Sequence, residues 1–190
     1  MLASEDYEWT KDEMRIFAQT MQEKATYMDA LIQDLTYTYQ LKNKAIQLDK
    51  VLLPLATWLP QFADEQVSVK VYGDVLLQAD ELLLKRIMDN LITNAKKYTP
   101  EGTKVIVEAQ HTGKEVMLTI ADRGPGIPQE ELDNLFERYY RGTNTTDDIT
   151  GTGLGLAITK QLIDLHTGTI SVRSDQGGTI FVLKFQCHEI

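Results

Sequence analysis

Between Asp12 and Asn43 the chain holds neither glycine nor proline, and apolar side chains return at heptad spacing as Met14, Met21, Met28 and Leu35. Phe17, Ala18, Ala25, Leu31, Ile32 and Tyr39 flank that seam. A run without breakers and with this period has one regular solution, a helix that stacks its apolar residues along a single face. Thr10 followed by Glu13 is the signature of a capping box and marks the start. About 30 residues at a rise of 1.5 Å each make a rod of roughly 45 Å. One small domain cannot cover it. The seam therefore predicts partner helices, in a hairpin or a dimeric bundle, although one long amphipathic helix lying on its own domain also satisfies the pattern. Methionine at three seam positions suits an adaptable interface.

The 190 residues leave room beside this rod for one ordinary domain. Hydrophobic residues make up 43% and charged ones 25%, a globular balance, and no apolar run approaches the roughly 20 residues of a membrane span. A soluble piece without membrane contact is expected. The net charge of -9 argues against nucleic acid as a partner, so any anionic ligand must be held by local geometry. The single Cys187 excludes an internal disulfide and a cysteine-based zinc site, and fits a reducing compartment. The opening Met1-Leu2-Ala3-Ser4 lacks the segments of a secretory signal and reads as a cut within a longer protein.

Leu48 to Ala63 is apolar at helical spacing, with Pro54 and Pro60 expected to kink or shorten a helix there. Alternation then takes over. Val67, Val69 and Val71, then Val105 and Val107, then Val116, Leu118 and Ile120 predict half-buried strands. Helices are predicted at Leu82 to Ala95 behind an Asp80 cap, at Pro128 to Leu135, and at Leu154 to Leu165. Closing strands at Thr169 to Ser174 and Thr179 to Phe185 flank the turn Gln176-Gly177-Gly178. The fold class is α+β: an α/β sandwich, a mixed sheet with helices packed on it, behind a helical lead-in.

Four clusters carry chemistry. Asn90 and Asn94 share a helix face with Lys97 close by, while Leu84, Ile87 and Leu91 point to the core. Amide oxygens are suitable Mg2+ ligands beside substrate phosphates, and Lys97 would meet a phosphate. A solvated polar stripe explains the same residues. Asp122-Arg123-Gly124-Pro125-Gly126 follows a strand and fits either a plain turn or a base pocket. In the second reading the carboxylate accepts a hydrogen bond from the exocyclic amine of adenine, and Gly126 lets the backbone approach the ring. Guanine would present a carbonyl instead, and an unpaired buried acceptor costs roughly 1–3 kcal/mol. Phe136 to Arg141 is aromatic and basic, and either closes a core edge or borders a site; the polar tail from Gly142 to Thr150 predicts a mobile loop. Gly151-Thr152-Gly153-Leu154-Gly155-Leu156 leads into a helix whose freed backbone N–H groups can hold an anion. It is neither a Walker loop nor a dinucleotide fingerprint, since no Lys-Ser or Lys-Thr follows and no strand directly precedes it.

Their order between Asn90 and Leu156 resembles the N, G1, F and G2 boxes of sensor histidine kinases, whose ATP-binding domain has the Bergerat fold shared with DNA gyrase and the ninety-kilodalton heat-shock chaperone. The resemblance covers roughly residues 46–186, and the lead-in looks like the second helix of the dimerisation and phosphotransfer domain. It implies two parts, residues 1–45 from that helical domain and residues 46–190 as the catalytic domain. It implies ATP and Mg2+ as cofactors, with Asn90 and Asn94 beside the metal and phosphates, and Lys97 and Tyr98 on the nucleotide. Asp122, with Gly124, Gly126 and Ile127, would read adenine. Residues 141–152 would form the ATP lid, bordered by Tyr140 and by Arg141 near the γ-phosphate. Gly151, Thr152, Gly153, Leu154, Gly155 and Leu156 would bracket the phosphates. Asn90, Lys97 and Arg141 carry the implied catalytic roles.

ATPase relatives place a glutamate where this chain has Asn90, and that carboxylate activates water; an amide cannot. Transfer to a neutral imidazole is therefore favoured over hydrolysis. The acceptor itself departs from the pattern. His111, His166 and His188 all lie outside an acceptor context, and His166-Thr167-Gly168 resembles the family's structural turn after the last helix. Autophosphorylation by this chain alone is not expected. The resemblance also implies a response-regulator receiver domain as partner, a homodimer through the helical hairpin, and a place on the cytoplasmic side of a membrane-bound sensor. A nucleotide-binding module that regulates a partner without phosphotransfer, and a serine kinase of the anti-sigma type, are the competing readings.

Overall fold

The computed structural model describes residues 9–142 and 152–186. Helix α1 spans Lys11–Lys42, and its start is the expected capping box: Glu13 N–H donates to the Thr10 hydroxyl at 3.2 Å, and Thr10 N–H donates to the Glu13 carboxylate at 2.9 Å. Met14, Phe17, Met21, Met28, Ile32, Leu35 and Tyr39 are exposed along it. The opposite face is anchored. Tyr37 and Leu41 pack against the core, and Asp34 is buried.

The predicted kinked helix after α1 is replaced by a strand and one helical turn. Strand β1 covers Lys50–Pro54, α2 covers Leu55–Trp58, and a 3-10 turn covers Leu59–Phe62. Pro54 ends the strand and Pro60 sits in the first turn of the 3-10 segment, where a missing N–H costs nothing. The helical spacing misleads because Leu53, Leu55, Trp58 and Leu59 all enter one core through two different geometries. Strand β1 pairs antiparallel with β3 (Leu76–Asp80), a strand the sequence reading did not anticipate, since its apolar run continues into the next helix without a turn residue.

The main sheet has five strands in the order β2-β4-β5-β7-β6, with β2 at Val67–Tyr72, β4 at Val105–Thr112, β5 at Glu115–Ala121, β6 at Thr169–Asp175 and β7 at Gly178–Gln186. β2 and β4 run parallel and the other pairs antiparallel, so the sheet is mixed. Val105, Val107 and Ala109 on β4, Val116, Leu118 and Ile120 on β5, and Phe181, Leu183 and Phe185 on β7 turn into one core. Against it pack α3 (Glu81–Tyr98), through Leu84, Ile87, Met88 and Leu91, and α5 (Gly155–Leu165), through Ile158, Leu162 and Ile163. The short α4 (Gln129–Leu132) follows Pro128. The fold is thus an α+β sandwich behind a long helix.

His166 joins these layers. Its Nδ1 lies 2.7 Å from the Leu162 carbonyl and its Nε2 accepts from Asp80 N–H at 3.1 Å, which requires the neutral ring with its proton on Nδ1. Burial holds its pKa below the ordinary histidine value, with Lys50 adding to the effect; the Leu162 carbonyl and Asp80 act in the opposite sense. The unfolded chain therefore binds the proton more readily. The contribution of His166 is complete above about pH 6.5 and is lost as pH falls below it. Thermal unfolding between pH 7.5 and 5 will show a fall in Tm that is shallower in His166→Gln. His166→Ala will cost about 2–4 kcal/mol at pH 7, from an unpaired Asp80 N–H and an unfilled site.

Candidate functional site

The sequence of α3 puts Arg86, Asn90 and Asn94 four residues apart on one face, opposite its buried leucines. That face forms one wall of a cleft of about 360 Å³. The loop after β5, the N-terminal end of α5 and the middle of α1 supply the others. Asn90, Asn94, Lys97, Tyr98, Asp122, Gly126, Ile127, Tyr140, Arg141, Thr152, Gly153, Gly155 and Leu156 all line it. Gly124 and Leu154 stand behind this surface, both buried. Gly151 and residues 143–150 lie outside the described residues.

At one end, Asp122 is only 8% exposed at the close of β5. Its Oδ1 accepts from Gly124 N–H at 2.8 Å and from Thr179 N–H at 3.1 Å, which leaves Oδ2 to a ligand in the cleft. Burial raises its pKa, and the two backbone donors pull in the opposite direction. Around it Ile127 N–H donates to Ser174 Oγ at 2.8 Å, and Ser174 Oγ lies 2.9 Å from Thr179 Oγ1. Gly126 adopts φ +79°, and a side chain there would run into the backbone of Asp175. The turn after the acid is thus pressed onto the β6–β7 hairpin, and only glycine fits it.

At the other end, the Asn90 amide nitrogen donates to Thr159 Oγ1 on α5 at 2.8 Å. That bond leaves the Asn90 oxygen as an available acceptor, and it is the nearest atom to the place a Gly155 side chain would take. Tyr139 N–H donates to the Gly153 carbonyl at 2.8 Å, joining the aromatic segment to the glycine turn. Leu154 N–H donates to Thr152 Oγ1 at 3.1 Å. Burial lowers the pKa of Lys97 and the neighbouring Arg141 lowers it further; burial raises that of Tyr98, and Arg141 opposes this. Lys97 and Arg141 together gather positive charge on this part of the cleft wall, which suits an anion.

Among the described residues there is no group of three or more histidine, cysteine or acidic side chains able to hold a metal. The donor set that exists, two amide oxygens on one helix face, fits Mg2+ carried in with a polyphosphate and its waters.

Several residues of the cleft escaped the sequence reading. Arg86 extends the asparagine stripe by one turn, a signal that was available. Thr159 and Thr179, which hold Asn90 and Asp122, lie 69 and 57 residues from their partners. Tyr27, Ala30 and Asp34 come from α1, where nothing marks them off from a solvated face.

Residues 79–189 match the family described as histidine kinase-, DNA gyrase B-, and HSP90-like ATPase. Sensor histidine kinase YvrG of Bacillus subtilis (strain 168) is 37% identical over 98% of this chain and 34% of its own length. Sensor histidine kinase CusS of Escherichia coli (strain K12) is 33% identical over 85% of this chain and 36% of its own length. The chain spans about a third of the length of these curated relatives. Full-length ShkA, solved in complex with AMPPNP, superposes with a TM-score of 0.78 at 25% identity over 98% of this chain and 42% of that one. Histidine kinase AdeS of Acinetobacter baumannii shares the fold, with a TM-score of 0.74 at 20% identity over 96% of this chain and 88% of that one. No helix among the described residues is long and apolar enough to cross a membrane. The chain belongs to the histidine kinase-, DNA gyrase B- and HSP90-like ATPase family, and within it has a catalytic domain of the sensor histidine kinase kind.

Proposed function

We propose that the chain binds Mg-ATP in this cleft and delivers the γ-phosphate to a histidine on a helix that precedes α1 in a longer protein, for onward transfer to a response-regulator aspartate. The observation that carries this reading is the cleft itself, with a buried acid whose Oδ2 is open to a base at one end, and amides, a glycine turn and paired cations at the other. Asp122 accepts from the adenine amine, with Gly124, Gly126 and Ile127 shaping the base pocket. Asn90 and Asn94 hold Mg2+, which neutralises charge on the phosphates when bound. Lys97 and Tyr98 contact the nucleotide, Tyr140 and Arg141 border the phosphates, and Thr152, Gly153, Leu154, Gly155 and Leu156 bracket them.

In the transfer, the lone pair of a neutral imidazole nitrogen attacks the γ-phosphorus. The bond to the β,γ-bridging oxygen breaks, its electrons leave with ADP, and the ring sheds its N–H proton to solvent. No proton has to be taken from the nucleophile beforehand, so Asn90, which has no basic group, serves where a carboxylate would be needed for water. The protein supplies alignment and positive charge through Lys97 and Arg141. α1 belongs in this reading to the second helix of a dimerisation hairpin, residues 1–45, with residues 46–190 as the catalytic part. Its exposed apolar seam pairs with the first helix and a second copy. The chain then works on the cytoplasmic side of a membrane-bound sensor, consistent with its lone cysteine.

The test adds a polypeptide carrying the histidine helix of a related sensor kinase, with ATP labelled at the γ-phosphate. Label on that polypeptide, lost in acid and kept in base, is expected. Nucleotide binding without transfer would reduce the reading to a binding module, and acid-stable label on serine would point to a different kinase.

A further inference from the structure

Asp34 is the one buried side chain on α1 among the described residues, and it faces the cleft rather than the exposed heptad seam. Its Oδ1 forms an ion pair with Arg86 on α3, and the pair is largely desolvated, with side-chain exposures of 6% and 25%. Its Oδ2 accepts from the hydroxyl of Thr152 at 2.6 Å. Arg86 also reaches Gln33 at 3.3 Å and lies over the Tyr37 ring, so three residues of α1 hold it in place. Arg86 is one turn before Asn90, and Thr152 opens the glycine turn. The carboxylate therefore sits at the end of the cleft assigned above to phosphate, with a cation whose charge it cancels.

We propose that Asp34 is a specificity-determining residue of the nucleotide cleft: by neutralising Arg86 it sets how strongly the site favours ligands with more phosphate charge. This rests on the reading of the cleft as an adenine nucleotide site. The expected behaviour follows from Coulomb's law alone. With Asp34 neutral, Arg86 contributes an uncompensated positive charge to the phosphate end, and each added phosphate gains from it. The base end, walled by Asp122 and Thr179, gains nothing.

Asn at position 34 can turn its oxygen to Arg86 and its NH2 to the Thr152 hydroxyl, which can accept as well as donate, so Asp34→Asn removes the charge, keeps a partner on each side and preserves the fold. The full chain is titrated calorimetrically with adenosine, AMP, ADP and ATP at low and high salt. In D34N, affinity for ATP rises about five- to tenfold at low salt, ADP gains less, adenosine stays within about twofold, and the difference shrinks in high salt. R86M shifts ATP the other way. The double variant D34N/R86M, neutral at both positions, returns the ratio of ATP to adenosine affinity to within about twofold of the original chain. Equal shifts for ATP and adenosine, weaker ATP binding in D34N, or failure of the double variant to restore the ratio would each overturn the charge role while leaving the cleft assignment standing. Failure of the original chain to bind either ATP or adenosine would remove the cleft assignment and the inference together.

Discussion

Replacing Asp122 by Asn will reduce ATP affinity at least about 30-fold, measured by calorimetry, while thermal stability falls only slightly. The amide keeps an oxygen for the Gly124 and Thr179 N–H groups that Oδ1 now satisfies. It presents an NH2 group to the adenine amine where Oδ2 stood, so a donor meets a donor in a buried place. A lost charged hydrogen bond together with an unmade one amounts to about 2–3 kcal/mol, which sets the factor. Asp122→Ala will lose the same affinity and also about 1–3 kcal/mol of stability, because Thr179 N–H is left buried without its acceptor. GTP affinity will not suffer in the Asn variant, since the amide can donate to the guanine carbonyl. Acid acts in the same direction as the substitution. Burial already raises the pKa of this carboxyl above the ordinary aspartate value, so ATP affinity declines on acidification before an exposed aspartate would protonate. Undiminished ATP binding in D122N would contradict the assigned base contact.

Gly155→Ala separates the site from the fold. Gly155 is the first residue of α5, where the gain from alanine is smaller than the roughly 1 kcal/mol of a helix interior and is offset by the Asn90–Thr159 bond that the methyl displaces, so the Tm should change by only a few degrees. The added methyl meets the Asn90 side-chain amide, with its oxygen as the closest atom. The amide must swing away from Thr159 and from the place where it would face metal and phosphate. Mg-ATP affinity will fall about tenfold or more, and transfer to an added histidine helix further still. A stable variant with undiminished nucleotide binding would remove Asn90 from the site.

The parts of this molecule that announce themselves in sequence are those governed by one local rule. α1 has its capping box and no breaker, α3 has Asp80 at its cap and leucines on one face, and the strands of the large sheet alternate. β1 and β3 obey no such rule. They form a two-stranded ribbon beside a helix, their apolar residues run on into helical turns, and only pairing at a distance separates strand from helix. In the cleft, the residues with distinctive chemistry were legible, because an acid at a strand end and glycines before a helix are local arrangements. Thr159, Thr179 and Asp34 were not. Each acts through a partner brought from elsewhere in the chain, and an ordinary threonine or one acid on a charged helix leaves no local trace.

Asp80 closes β3, caps α3 through Leu83 N–H, accepts from Asp49 N–H just ahead of β1, and gives its own N–H to His166. No connecting loop stands between β3 and α3, so the ribbon and the helix that carries Asn90 and Asn94 are joined end to end. Residues 43–49 join the end of α1 to β1. The rod therefore meets the asparagine helix by two routes, the Asp34–Arg86 pair in the last third of α1 and, beyond residues 43–49, the β1–β3 ladder that ends at Asp80.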